Sequence, residues 1–238
     1  MANAVIQATT IQATTPDLLL GMNPAGLIEV PEFNCMLHPL VIEPLHQLAM
    51  AAQLKNFRLQ VASSYRDFER QLLIWNNKVN GLRVVLDKNG EPLDISILSD
   101  KEKIFAILRW SALPGTSRHH WGTDLDVYDA SLIDDNYSVQ LTVQETESGG
   151  PFAEFHQWLS AELFSNSRGF YRPYSDDVSD GIAPEPWHLS YAPVAKIYAA
   201  HLSEEIIRAQ IQLSNISLKE TLLENLSEIY QRFIKPYR

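Results

Sequence analysis

Two histidine and carboxylate spacings carry the chemical content of this chain. His119 and Asp126 flank Gly122. Glycine takes the backbone angles that reverse a chain, so two side chains of one short segment can converge on a cation. His188, far along the chain, supplies a third ligand, and Glu185 stands three residues before it. A His, Asp, His set leaves the fourth tetrahedral position of a zinc ion open to water, the arrangement of a catalytic rather than a structural site. Such an ion lowers the pKa of its water to about 7 and polarises a carbonyl. In the turn-like run Glu185-Pro186-Trp187-His188 the Glu185 carboxylate can approach that water without ligating the metal, as a general base does. Taken alone, either fragment reads better as structure: a His-x6-Asp pair as a buried hydrogen bond, and Glu-Pro-Trp-His as a loop whose Trp187 packs in the core.

The remaining histidines read as structural. His38, His46, His156 and His201 are isolated, and a lone histidine is usually a surface or hydrogen-bonded residue. His120 adjoins His119, but adjacent residues on an extended chain point opposite ways, so both do not reach one ion. The single cysteine, Cys35, builds neither an internal disulfide nor a multi-cysteine zinc knuckle, which leaves His and carboxylate as ligands. Ser117 lacks a Gly-x-Ser-x-Gly elbow and is a poor nucleophile candidate.

The elements that must position these groups follow from periodicity. A helix is expected from Glu43-Pro44 to near Asn56, with Leu45, Leu48, Ala49 and Ala52 on one face. Phe57, Leu59 and Val61 alternate with polar residues, so a half-buried strand delivers Tyr65 and Arg66 at its end. Asp67 caps a helix carrying Phe68, Leu72 and Trp75. Asn89-Gly90 marks a hairpin excursion, and Ser99 to Glu102 is a capping box opening another helix. Leu125 and Val127 face one side of a strand and Asp124, Asp126 and Tyr128 the other. Residues 134–150 form a second excursion, a helix follows Pro151, and Glu185 to Tyr191 is extended. Two helices close the chain, one over about 193–212 and one opened by a capping box at Ser217 to Glu220. The first thirty or so residues, which repeat the pentapeptide Ile-Gln-Ala-Thr-Thr, read as an arm. The fold class is therefore α+β: a small, mainly antiparallel sheet carrying the metal site and flanked by helices. One domain spans 1–238, with a C-terminal helical extension over about 193–238.

Composition narrows the partners. With 19 Lys and Arg against 29 Asp and Glu, the formal charge of −10 repels polyanions, and no basic stripe tracks a phosphate backbone, which argues against nucleic acid. No run approaches the roughly 18 apolar residues that span a bilayer. The start, Met1-Ala2-Asn3-Ala4, shows no basic and apolar leader, so the expected compartment is cytoplasmic as written and periplasmic if a native leader has been lost.

In combination, Ser117-x-His119-x-x-Gly122-x-x-x-Asp126, then Glu185-x-Trp187-His188, preceded by Ser64-Tyr65-Arg66 with Gln71, resembles the D-Ala-D-Ala metallopeptidases. These include the vancomycin-resistance carboxypeptidases and dipeptidases, in the larger group shared with lysostaphin-type endopeptidases and the hedgehog signalling domain. The resemblance covers roughly residues 40 to 195. It implies one zinc ion held by His119, Asp126 and His188, with Glu185 as catalytic base and Arg66 steadying the carbonyl oxygen as it becomes an oxyanion. It also implies that Ser117, Gln71, Tyr65 and Trp187 meet a substrate, a peptidoglycan stem peptide or muropeptide, and that the reaction is release of a C-terminal D-alanine. An endopeptidase on the same fold and a zinc-bearing module without catalysis are the alternatives; the joint presence of Glu185 and Arg66 argues against the second. Asp124 stands where the family commonly has a small residue, and is expected to face solvent. Arg66, Arg118 and the metal are the positive charges expected to recruit an anionic peptide.

Overall fold

The computed structural model describes residues 14–134, 136–165, 167–175 and 181–237. Its centre is a four-stranded antiparallel sheet in the order β3-β4-β6-β5, built from β3 (Leu59–Ser63), β4 (Asp124–Asp129), β5 (Phe170–Tyr171) and β6 (His188–Tyr191). A smaller ribbon pairs β1 (Ile28–Val30) with β2 (Cys35–Leu37). This is the α+β architecture expected.

Strand alternation divides the central sheet into a dry face and a polar face. Leu59, Leu125, Val127 and Leu189 point to one side and pack with Val41, Leu45, Leu48, Phe155 and Leu159 of the helices Pro39–Gln53 and Ala153–Phe164. Full burial of such side chains stabilises by roughly 1.5–3 kcal/mol each, which fixes the register of β4 and β6. Asp124 and Asp126 alternate with these residues, so they are buried on the opposite face, where β6 sets His188 directly across from Asp126.

A second apolar cluster, around Trp75, Ile104, Ile107, Leu113 and Tyr198, joins the helices Phe68–Val79, Asp100–Leu108, Ala192–His201 and Glu204–Leu213 to the C-terminal turns. It supports the loops that bring Arg66 and His119 to the sheet. Asp67 caps the Phe68 helix by accepting from the Arg70 amide, and Ser99 with Glu102 forms the expected capping box. No helix among the described residues is long and apolar enough to cross a membrane.

Several boundaries differ from the sequence reading. The helix expected at Pro44 starts at Pro39, capped by His38 Nδ1, and carries Pro44 inside its first turns. The carbonyl that Pro44 leaves unpaired lies close to the helix start, where such loss is tolerated. Residues 193–212 divide at Leu202-Ser203, where Ser203 caps the second helix. No capping box forms at Ser217; Leu218 takes a positive φ of 62° and Lys219–Glu224 begins after it. Asn89-Gly90 turns a chain that pairs only at the bridge Leu86–Pro92. The arm assigned to the first thirty residues holds elements from residue 16 onward: Pro16–Leu19 is helical, Leu19 is buried in the Trp75 cluster, and Val30 is buried beside the sheet. Residues 1–13, with most of the pentapeptide repeat, lie outside the described residues. The C-terminal segment is part of the same cluster through Leu226, Ile229 and Phe233 and is no appendage.

Candidate metal centre and catalytic cleft

Gly122 creates the site locally. It ends the short helical turn Arg118–Trp121 at φ 63°, and a Cβ there would lie 2.7 Å from a Leu27 methyl and 3.0 Å from the His38 amide nitrogen. Only glycine satisfies both the angle and the space. The reversal sets His119 over the polar face of β4. Its ring lies 4.8 Å from that of His188 in an edge-on contact, and its Nε2 is 3.4 Å from Asp126 Oδ2.

One candidate ligand atom from each of His119, Asp126 and His188 lies within 4.8 Å of the others. The three are buried. His188 Nε2 lies 3.0 Å from Asp124 Oδ1; a carboxylate accepts, so Nε2 carries the proton and Nδ1 of the neutral ring presents a lone pair. That lone pair faces Asp126 Oδ1 at 3.1 Å and Glu185 Oε2 at 3.4 Å. Lone pairs and carboxylate oxygens so close repel unless a cation lies among them. His119 Nδ1, Asp126 Oδ1 and His188 Nδ1 are also the buried polar atoms here that lack a hydrogen-bond partner. Buried groups of this kind are nearly always satisfied, and the donor set of two imidazoles and one carboxylate suits zinc.

The same electrostatics appears in proton affinities. Burial disfavours charge on His188, yet Asp124, Asp126 and Glu185 outweigh it and push the imidazole well above its ordinary range. Burial works against charge on Asp126 as well, but His119 and His188 hold it far below a normal carboxylate. After treatment with a chelator, His188 therefore takes up a proton in the cation's place. The stability this contributes is fully present below the unfolded pKa near 6.5 and is lost as pH rises through the higher folded value. Metal binding needs the deprotonated ring and strengthens with pH. Thermal melts with and without chelator over roughly pH 6 to 9 should show the difference in Tm between the two preparations widening as pH increases.

Asp124 does not face solvent, contrary to the sequence expectation. It is fully buried, and besides His188 it accepts from Arg118 Nε at 2.8 Å and Thr123 Oγ1 at 2.6 Å. The period of two that directs Asp126 inward does the same for Asp124, and the polar face at that point is covered by Arg118. The guanidinium of Arg118 is buried too, donating further to Ser190 Oγ, Tyr171 Oη and the Tyr237 carbonyl. It is therefore occupied inside the protein and recruits nothing from solution. Positive charge near the cleft comes instead from Arg66, Lys78 and Arg83: burial, then the charge of Arg83, lowers the Lys78 ammonium to about 8 against the pull of Glu185.

Arg66 stands at the turn after β3, where its NH1 donates to Gln71 Oε1 at 2.8 Å and NH2 to Ser63 Oγ at 3.2 Å. Burial lowers its proton affinity, and the charges of Asp126 and Glu185 raise it again, which places the guanidinium in the field of the centre. Gln71, expected to touch substrate, is fully buried; its amide also donates to the Ala112 carbonyl. It positions Arg66. Ser117 and Trp187 are nearly as buried, and the hydroxyl of the part-buried Tyr65 side chain donates to the Gly21 carbonyl at 3.3 Å.

His120 was set aside as a ligand, and it lies outside the metal cluster. It has another task. The Gly115 amide donates to its Nε2, so Nδ1 bears the proton and donates to the Arg66 carbonyl at 2.6 Å, while the Arg66 amide donates to the His119 carbonyl. Residues 119 and 120 thus grip the backbone of Arg66 from both sides. Burial lowers the His120 pKa to about 3 and keeps the ring neutral for this bond. Alternation alone gave no signal of it, because the contact is with a residue more than fifty positions away in the chain.

A family model described as VanY, D-alanyl-D-alanine carboxypeptidase, matches residues 34–194. Two uncharacterized proteins of Haemophilus influenzae are similar: one is 44% identical over 102 residues, 42% of this chain and 70% of that protein, and the other 33% identical over 123 residues, 51% and 92%. Among solved structures, a vancomycin-resistance D,D-pentapeptidase VanY in complex with Zn(II) is 28% identical with a TM-score of 0.49, covering 76% of this chain and 88% of that one. VanYB in complex with D-alanine-D-alanine is 26% identical, also at 0.49, covering 77% and 88%.

Proposed function

The chain belongs to the VanY D-alanyl-D-alanine carboxypeptidase family, and from that premise we propose that it is a zinc-dependent hydrolase releasing the C-terminal D-alanine of peptidoglycan-type peptides. The observation that carries the reading is the convergence of His119, Asp126 and His188 beside an uncommitted carboxylate and an arginine. These three residues would hold one zinc ion. When bound, the ion polarises the scissile carbonyl and acidifies water at the site.

The chain's own residues supply the rest. Arg66, fixed by Gln71, Ser63 and His120, donates to the carbonyl oxygen as negative charge develops on it. Such preorganised donors cost no reorientation during reaction. Glu185 is held by two backbone bonds, its amide donating to the Tyr174 carbonyl and its carbonyl accepting from the His188 amide. Its carboxylate takes the proton from the attacking water and returns it to the departing amine of D-alanine, so no covalent enzyme intermediate forms.

Metal analysis of the purified protein, together with mass spectrometry of a digested muropeptide ending in D-Ala-D-Ala, tests the proposal. The expected result is about one zinc per chain and loss of a single alanine. Two larger fragments would mean an endopeptidase, and stoichiometric zinc with no cleavage a binding module; either overturns the reading.

A further inference from the structure

Residues 230–237 lie beyond the family-matched stretch 34–194, yet they reach the supports of the metal centre. Tyr230, Phe233 and Ile234 are buried in the Trp75 cluster, which anchors the turn Lys235–Tyr237 that follows. From that anchor Tyr237 touches separate supports with its backbone, its ring and its hydroxyl. Its carbonyl accepts from Arg118 NH1 at 2.7 Å, and Arg118 Nε donates to Asp124 Oδ1, the acceptor for His188 Nε2. Its ring lies 5.1 Å from that of Tyr174 at 67°. The Tyr174 ring in turn lies 4.9 Å from that of His188, and the Tyr174 carbonyl accepts from the Glu185 amide. The Tyr237 hydroxyl accepts from the Ile182 amide at 3.0 Å, three residues before Glu185. Pro184 and Pro186 flank Glu185. Proline fixes its own φ and restricts the residue before it, so a shift at Ile182 passes to Glu185 with little absorbed between.

We propose that Tyr237 is a positioning residue of the metal centre, setting the His188 ring and the Glu185 loop against each other. His188 is reached through Arg118 with Asp124 and through the Tyr174 ring; Glu185 is reached through Ile182 and the Tyr174 carbonyl. Tyr237 is common to all of these routes. The sheet fixes His188 by its strand, whereas residues 182–185 belong to no helix or strand, so the place of the base depends on isolated bonds of this kind. The proposal rests on the carboxypeptidase reading for its kinetic readout and on the metal centre alone for its binding readout.

The test compares wild type with Tyr237→Ala, Tyr237→Phe and, as a control on the same turn, Lys235→Ala, whose exposed ammonium donates to Gln231 Oε1. Tyr237→Ala should lower kcat on an acetylated lysyl-D-Ala-D-Ala peptide about tenfold with KM within about twofold, since misplacing a reacting group by a remote change costs up to about 10²-fold. Zinc affinity, read by competition with a chromogenic chelator, should fall about threefold. That is below the roughly 10- to 100-fold loss typical of a partner bonded to the ligand itself, because Asp124 keeps its bond to His188. Tyr237→Phe keeps the ring and backbone and gives up the acceptor for Ile182, so it should hold zinc like wild type and lose about threefold in kcat. Lys235→Ala should match wild type in both readouts. A Tyr237→Ala protein with lowered Tm but wild-type kcat and zinc affinity is missing only a staple, which overturns the proposal; so does a raised KM at unchanged kcat, or equal losses in Lys235→Ala. If Tyr237→Ala does not fold, Tyr237→Phe decides: reduced kcat supports the proposal and wild-type kcat rejects it. If wild type cleaves nothing, the carboxypeptidase reading fails by itself, and the zinc affinity of Tyr237→Ala decides the positioning role: weaker binding supports it, and unchanged binding rejects it.

Discussion

Glu185→Gln should keep its zinc and lose turnover by a factor of about 10² to 10⁴, the usual contribution of a positioned general base. The substitution preserves shape, and the backbone bonds to Tyr174 and His188 that hold residue 185 do not involve its side chain. The amide cannot accept the proton of the attacking water. Because Glu185 stands outside the three-residue metal cluster, metal content should not change, whereas His119→Ala should abolish metal binding and activity together. The comparison requires kcat on an acetylated lysyl-D-Ala-D-Ala peptide and zinc measured on the same preparations. Full activity in Glu185→Gln would remove it as the base. Loss of zinc would make it a ligand.

What was legible in the sequence, and what was not, follows from the range of the interactions. His119, Asp126 and His188 stood out through the combined motif that resembles the D-Ala-D-Ala metallopeptidases, and the turn at Gly122 and the pairing of β4 with β6 bring them together. Leu125 and Val127 signalled the dry face by their period of two. The same alternation already held Asp124 on the polar face, but a strand pattern says nothing of what covers that face, and the cover is Arg118, fixed by the Tyr237 carbonyl from the end of the chain. The tertiary partners of Gln71 and His120 were hidden for the same reason. Gln71 lies near Arg66 in sequence, so a motif reading assigns both to substrate, yet only tertiary burial shows that its amide is consumed by Arg66 and the Ala112 carbonyl. Cap boundaries such as Leu218 were missed because apolar contacts of the Trp75 cluster set where the last helices begin, overriding a local Ser-x-x-Glu signal.

Asp124→Asn should lower both zinc affinity and stability, for separable reasons. Its Oδ1 orients the His188 ring by fixing the proton on Nε2, and loss of such a partner typically weakens metal binding 10- to 100-fold. An asparagine can rotate its amide to present NH₂ towards His188, which reverses the preferred tautomer and sets a proton on Nδ1 where the metal must bind. Asp124 also balances Arg118. Burial disfavours its charge, but Arg118 and His188 hold its pKa far below the normal carboxylate range, and removing one partner of a buried ion pair costs about 3–5 kcal/mol. The double variant Arg118→Met with Asp124→Leu separates the two effects, since replacing both members by apolar groups of similar volume is often neutral for stability. Chemical denaturation of chelated protein should show the single variant destabilised and the double variant largely recovered. Competition titration with a zinc chelator should show both still weak, because neither restores an acceptor for His188 Nε2. Recovery of metal affinity in the double variant would mean that Asp124 serves Arg118 alone.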